Sequence, residues 1–213
     1  MPPLHDPPQH DSLVWYVSYG SNMNAQRLDC YLRGGRPEGA LITYTGARDG
    51  TPPRASAGVM LPGRLRFASR SAVWGGSMAF YDHHSPGPTA ARAYLLTAQQ
   101  FVDVAAQEMH REPSTDDLLE EVVRSGVPGG SFTAGPGHYE TLLNVGEREG
   151  RPMLTFTAPA GARELEPGLP VPAYLSMLTE GLAQGHGWDP AACTDYFARC
   201  GAFTADAAPA PAV

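Results

Sequence analysis

From Gly39 to Tyr81 the chain is cut by Pro-Pro, Pro-Gly and Gly-Gly into short runs rich in Val, Leu, Thr, Tyr and Trp. Proline and glycine at that density interrupt helices, so the segment reads as antiparallel strands joined by turns. Helical patterns lie around it. Leu13 to Ser18 is a β-prone run that leads into the turn Tyr19-Gly20-Ser21-Asn22, and Leu28, Tyr31 and Leu32 follow at helical spacing until Gly34-Gly35. Ala91 to Leu96 predicts another strand. Thr97 and Gln100 then form the S/T-x-x-E/Q pattern of a capping box, opening a helix that Pro113 must end.

Residues 114 to 137 hold a small helical pattern, Leu118, Leu119, Val122 and Val123, between an acidic start and the glycine-rich stretch Gly126 to Gly137. This segment reads as an insertion at about 113–137, placed to serve as a lid or wall. His138 to Val145 and Pro152 to Ala158 predict a hairpin around Gly146 to Gly150. Two helices close the chain. The first runs from about Val171 to Gln184 and is ended by Gly185; the second is opened by Asp189-Pro190, with Cys193, Tyr196, Phe197 and Cys200 on one face. No internal repeat is present.

A chain of 213 residues that is 42% hydrophobic buries one substantial core, so a single domain over 13–204 is expected. Residues 1–12 and the Ala/Pro tail 205–213 lack apolar periodicity and read as flexible ends. A net charge of −7, with no lysine and scattered arginines, argues against a nucleic-acid partner, since binding to a phosphate backbone needs clustered cations. Three cysteines, Cys30, Cys193 and Cys200, are too few for a disulfide framework and fit a reducing compartment. The N-terminus lacks a signal-peptide pattern, and no stretch approaches the ~20 apolar residues of a membrane span. A cytoplasmic protein with no membrane partner is expected.

Two features can carry chemistry. Phe101, Val104, Ala105 and Glu108 fall at i, i+3, i+4 and i+7, so a carboxylate ends an otherwise apolar helical stripe. A glutamate held in a low-dielectric cleft has its pKa raised toward the range of a general acid or base; at an exposed helix end it would only pair with an arginine. The second feature is the Tyr19-Gly20-Ser21-Asn22 turn. Gly20 permits close backbone approach, Ser21 or Asn22 can cap the following helix, and amides at such a turn can hold a carboxylate or oxyanion; an ordinary strand-turn-helix connection uses the same residues. His83-His84, His5 and His10 lack the spacing of a zinc site, and no metal is implied. Ser77 lies in a predicted strand, without the final glycine of a nucleophile elbow.

The run Tyr16-Val17-Ser18-Tyr19-Gly20-Ser21-Asn22-Met23 resembles the Y-G-S-N-hydrophobic signature of the gamma-glutamylcyclotransferase family. Trp74-Gly75-Gly76-Ser77-Met78-Ala79 resembles that family's central strand, and Ala93 to Leu96 with Phe101 to Glu108 resembles the strand and helix that deliver its acidic residue. The likeness continues through Tyr139-Glu140 to Pro170-Val171-Pro172-Ala173-Tyr174. It implies a compact α+β fold with a mixed, strongly curved or barrel-like sheet and flanking helices. It also implies an enzyme that cyclises a small gamma-glutamyl amide to 5-oxoproline and a free amine without a cofactor. Glu108 would be the general acid/base, Gly20, Ser21 and Asn22 would grip the substrate, and Tyr19 and Tyr174 would line the pocket. The chain departs from the pattern after Glu108, where Met109-His110-Arg111 continues the helix and about 25 further residues intervene. A lid there would favour a gamma-glutamylamine or a gamma-glutamyl-modified metabolite. A noncatalytic binding module and an amide hydrolase on the same fold remain open alternatives.

Overall fold

The computed structural model describes residues 12–36, 42–115 and 117–203. The flexible ends expected at 1–12 and 205–213 therefore lie outside the described residues, apart from Ser12, as do His5 and His10.

The fold is α+β, with a curved mixed sheet and flanking helices. Strand β1 (Leu13–Ser18) is followed by a single 3-10 turn, Ser21–Met23, and helix α1 (Ala25–Arg33). Strands β2 (Ser56–Pro62), β3 (Arg64–Ala68), β4 (Met78–Asp82) and β5 (Pro88–Thr97) come next, then α2 (Ala98–Glu108) and α3 (Leu118–Ser125). Strands β6 (Ser131–Thr133), β7 (Thr141–Arg148) and β8 (Arg151–Thr157) precede α4 (Pro172–His186) and α5 (Pro190–Arg199).

Six strands form the main sheet in the order β2-β5-β1-β8-β7-β6, and β3 with β4 forms a separate two-stranded sheet. β1 pairs antiparallel with β5, Leu13 opposite Thr97 and Ser18 opposite Arg92. Its other edge runs parallel to β8, Trp15 opposite Met153. β1 alternates between two cores because strand side chains point to opposite faces in turn. Trp15 and Val17 join Leu178, Leu182, Tyr196 and Phe197 of α4 and α5, while Val14 and Tyr16 join Leu28, Tyr31 and Phe101 of α1 and α2.

Most local expectations hold. The capping box at Thr97 and Gln100 is complete, with both reciprocal hydrogen bonds formed. The β7-β8 hairpin closes more tightly than expected. Glu149 and Gly150 both have positive φ, the geometry of a two-residue hairpin loop, and a bulge between Asn144 and Glu147 absorbs Gly146.

Some expectations are corrected. Trp74 to Ser77 is not strand: Ser71 N–H donates to the Gly76 carbonyl and folds these residues into a turn before β4. Nor is β4 central: among the described residues it pairs with β3 alone, and hydroxyls tie its backbone to the rest of the protein. Thr157 Oγ1 bridges both the N–H and the carbonyl of Tyr81, while the hydroxyls of Tyr174 and Tyr139 take the N–H and the carbonyl of Ala79. Helix α2 stops at Glu108, five residues ahead of Pro113, because His110 takes φ 57° and Arg111 N–H bonds back to the Ala106 carbonyl. Helix α4 runs through Gly185 and ends at Gly187, which supplies the left-handed cap.

The segment around 113–137 is built into the domain. Leu119 and Val123 of α3 pack on the α2 side of the sheet, β6 extends the sheet edge, and Arg48 bridges Asp103 of α2 and Glu120 of α3.

Candidate active site

The end of β1 directs the chain under α4, and the 3-10 turn brings the Asn22 side chain inward. Helix α1 then begins at Asn24, whose side-chain oxygen accepts from the backbone N–H groups of Gln26 and Arg27. The helix cap expected of Ser21 or Asn22 therefore belongs to Asn24, because the intervening turn shifts the helix start. That leaves Asn22 free for another role. Its Nδ2 donates to Glu108 Oε1 at 2.8 Å and to the Tyr16 hydroxyl at 3.2 Å.

Around this contact lies a chamber of about 40 Å³. Tyr19, Gly20, Ser21, Asn22, Glu108 and Tyr174, the six residues singled out in the sequence, all line it. It shares Ser21, Glu108, Tyr139 and Tyr174 with an outer cleft of about 340 Å³. The half-buried Glu108 thus stands where the two meet. None of the described residues from 113 to 137 lines either space.

The chamber is rich in neutral phenols. Burial pushes the hydroxyls of Tyr16 and Tyr139, and of Tyr31 in the outer cleft, well above the ordinary tyrosine value, and the Glu108 charge pushes each further. Tyr19 and Tyr174 are raised for the same leading reason. These groups stay protonated through the neutral range and can donate hydrogen bonds. Tyr19 spends its proton on the Phe156 carbonyl and Tyr139 on that of Ala79. Tyr174 differs: its oxygen accepts from Ala79 N–H and lies against the backbone N–H of Ser21, so its own hydrogen is not committed to either.

Two buried polar atoms on the chamber wall have no partner among the described residues, Asn22 Oδ1 and Thr155 Oγ1. A buried group without a hydrogen bond is costly, and such groups mark where a ligand or water belongs. Thr155 was not foreseen. Its signal was strand alternation, which sets Thr155 on the same face of β8 as Met153.

A further residue was missed in the outer cleft. Arg27 of α1 is 3% exposed, stacks against Tyr31, Tyr44 and Trp74, and donates from Nη2 to the Tyr31 and Tyr44 hydroxyls. It shares the buried helical face of Tyr31 at i, i+4, which distinguishes it from the scattered surface arginines.

No protein-family profile matches the chain. Over 188 residues it is 31% identical to a protein of Arabidopsis thaliana named histone deacetylase 5, a match taking in 81% of this chain and 28% of that protein. The chain spans less than a third of that relative's length, and the name describes the longer protein. Among solved structures, a gamma-glutamyl cyclotransferase superposes with a TM-score of 0.47 at 14% identity, over 88% of both chains. An uncharacterized human protein superposes with a TM-score of 0.50 at 16% identity, again over 88% of both, which shows a shared fold.

Proposed function

We propose that this protein is an enzyme that cyclises gamma-glutamyl amides, releasing 5-oxoproline and a free amine, with Glu108 carrying the protons. The observation that carries the reading is the Glu108 carboxylate, held by Asn22 at the mouth of a chamber in whose wall no other charged group stands among the described residues. A half-buried carboxylate oriented by one amide and bordering open space is suited to proton transfer.

In this reading the chamber takes the substrate's α-ammonium. An ammonium has three N–H donors, and Glu108, Asn22 Oδ1 and Thr155 Oγ1 supply three acceptors. Glu108 removes a proton to free the lone pair, and the nitrogen attacks the γ-carbonyl carbon. The new C–N bond closes a five-membered ring as the carbonyl oxygen becomes an oxyanion, toward which Tyr174 donates its uncommitted hydrogen. Glu108 hands its first proton to the departing nitrogen and, a carboxylate again, takes a second from the ring nitrogen. The departing nitrogen gains two protons in all, each passed back from Glu108, as its bond to the γ-carbon breaks. The turn Tyr19-Gly20-Ser21-Asn22 serves by fixing Asn22 and by setting Ser21 N–H against Tyr174. Because attack is intramolecular, holding the chain folded supplies part of the about 7–11 kcal/mol that well-oriented intramolecular reactions gain.

The test is mass-spectrometric detection of 5-oxoproline after mixing the protein with a panel of gamma-glutamyl amides. Product from the wild type and none from Glu108→Gln is expected. Free glutamate in its place would make the enzyme a hydrolase, and no product from any amide would overturn the reading.

A further inference from the structure

Arg27 is a buried cation that forms no ion pair among the described residues. Of its guanidinium nitrogens, only Nη2 has hydrogen-bond partners among the described residues, and both are hydroxyls, of Tyr31 and Tyr44. Nε and Nη1 are buried and unpartnered among the described residues. Burial works against the charge, while the Tyr31 and Tyr44 hydroxyls and Glu108 hold the proton on. The guanidinium lies 5.0, 4.7 and 5.5 Å from the ring centroids of Tyr31, Tyr44 and Trp74, a packing that fixes its plane.

Such a group is expensive to bury, and its cost is recovered when a complementary anion arrives. Arginine matches carboxylates in particular, because planar N–H groups meet the two oxygens together. Arg27 also lines the outer cleft beside Glu108, which would repel an anion bound without such a cation. No acidic side chain forms an ion pair with Arg27 among the described residues, so the protein itself does not satisfy it.

We infer that Arg27 is the carboxylate-binding residue of this site and sets which substrates it accepts. The carboxylate has two sources: the α-carboxyl of the glutamyl group, or a carboxyl on the amine that leaves. The inference rests on the cleft being the substrate site proposed above, but not on cyclisation occurring there.

The experiment has two readouts. The first is calorimetric binding of glutarate, a dicarboxylate with no amide to cleave, to the wild type, Arg27→Gln and Arg27→Lys. Binding weakened about 10- to 100-fold in Arg27→Gln, the worth of a charge-assisted hydrogen-bonded pair, is expected. Arg27→Lys keeps the cation and loses the planar donors, so it should fall between the two; it also keeps the test readable if Arg27→Gln fails to fold. This readout stands even if no amide is turned over, which would overturn the proposed reaction and not the role of Arg27.

The second readout is the KM of wild type and variants for gamma-glutamyl-alanine, gamma-glutamyl-ethylamine and 4-aminobutanoyl-alanine. The ethylamine compound lacks the leaving-group carboxylate and the aminobutanoyl compound lacks the α-carboxylate. The compound for which the variants and the wild type agree has lost the carboxylate that Arg27 binds. Equal glutarate affinity and equal KM for every compound in wild type and variants would overturn the inference.

Discussion

Glu108 and Asn22 form the smallest unit that the proposed chemistry needs, and the two can be separated by substitution. Glutamine at 108 retains an oxygen to accept from Asn22 Nδ2 but cannot take up a proton. Glu108→Gln is expected to lower turnover about 10²–10⁴-fold while leaving the unfolding free energy within about 0.5 kcal/mol of wild type, the usual range away from packed cores. Full activity in the variant would remove Glu108 from the mechanism. Asn22→Ala acts through Glu108: it frees the carboxylate to rotate, so kcat per folded molecule falls, whereas a purely structural loss would leave the kcat of the folded fraction unchanged. Glu108 was legible because an acidic residue at i+7 breaks an apolar helical stripe. Arg27 and Thr155 were not singled out, because an arginine among arginines and a threonine in a strand are ordinary in sequence; what marks them is missing partners, a property of the folded neighbourhood.

At the scale of elements, the site depends on how closely α4 approaches the 3-10 turn. Gly181 permits it: a Cβ there would lie 2.5 Å from Met23 Cβ and 2.8 Å from the backbone N of Asn24. Both contacts are far inside ordinary packing distance. Gly181→Ala therefore sets two effects against each other, a gain of about 1 kcal/mol in helix propensity against an overpacking cost of about 1–3 kcal/mol. Because two of the crowding atoms belong to backbone, the cost is expected to win. The variant should unfold at lower denaturant and lose activity beyond its loss of stability, since the displaced turn carries Asn22. A variant more stable than wild type would show that α4 shifts without strain. Elements with local signals were legible in this way: the capping box of α2, the β7-β8 hairpin and the Asp189-Pro190 start of α5. The helix stops at Glu108 and Gly187 were not, since the chain there uses positive-φ residues in preference to the more obvious Pro113 and Gly185.

For the whole molecule, the parallel pairing of β1 with β8 could not be read from sequence, because nothing local reports which of several strands 138 positions or so apart will meet. Nor could the ion pairs that fasten the outer parts to the sheet. Arg66 holds Asp82 in the β3-β4 hairpin, and Arg48 joins α2 to α3 through Asp103 and Glu120. Burial alone would raise the Asp82 carboxyl, but the Ser85 hydroxyl, Arg66 and the His84 N–H outweigh it and hold it below the usual carboxylate value. Burial is likewise outweighed at Glu120 by Arg48 and Arg124. A carboxyl lowered in the fold takes up its proton first in the unfolded chain. Its stabilisation is therefore complete above the unfolded value, about 4, and is lost as pH falls from there through the lower folded value. Asp82→Asn removes the charged acceptor and should cost about 1–3 kcal/mol at pH 7. The difference should shrink as pH falls below about 4, where the wild-type carboxyl is itself being protonated. Denaturant unfolding of both proteins at pH 7 and pH 3 measures this directly. Stability curves that stay parallel across that range would mean that Asp82 contributes through packing and neutral hydrogen bonds, and that the acid limit of the fold is set by other carboxyls.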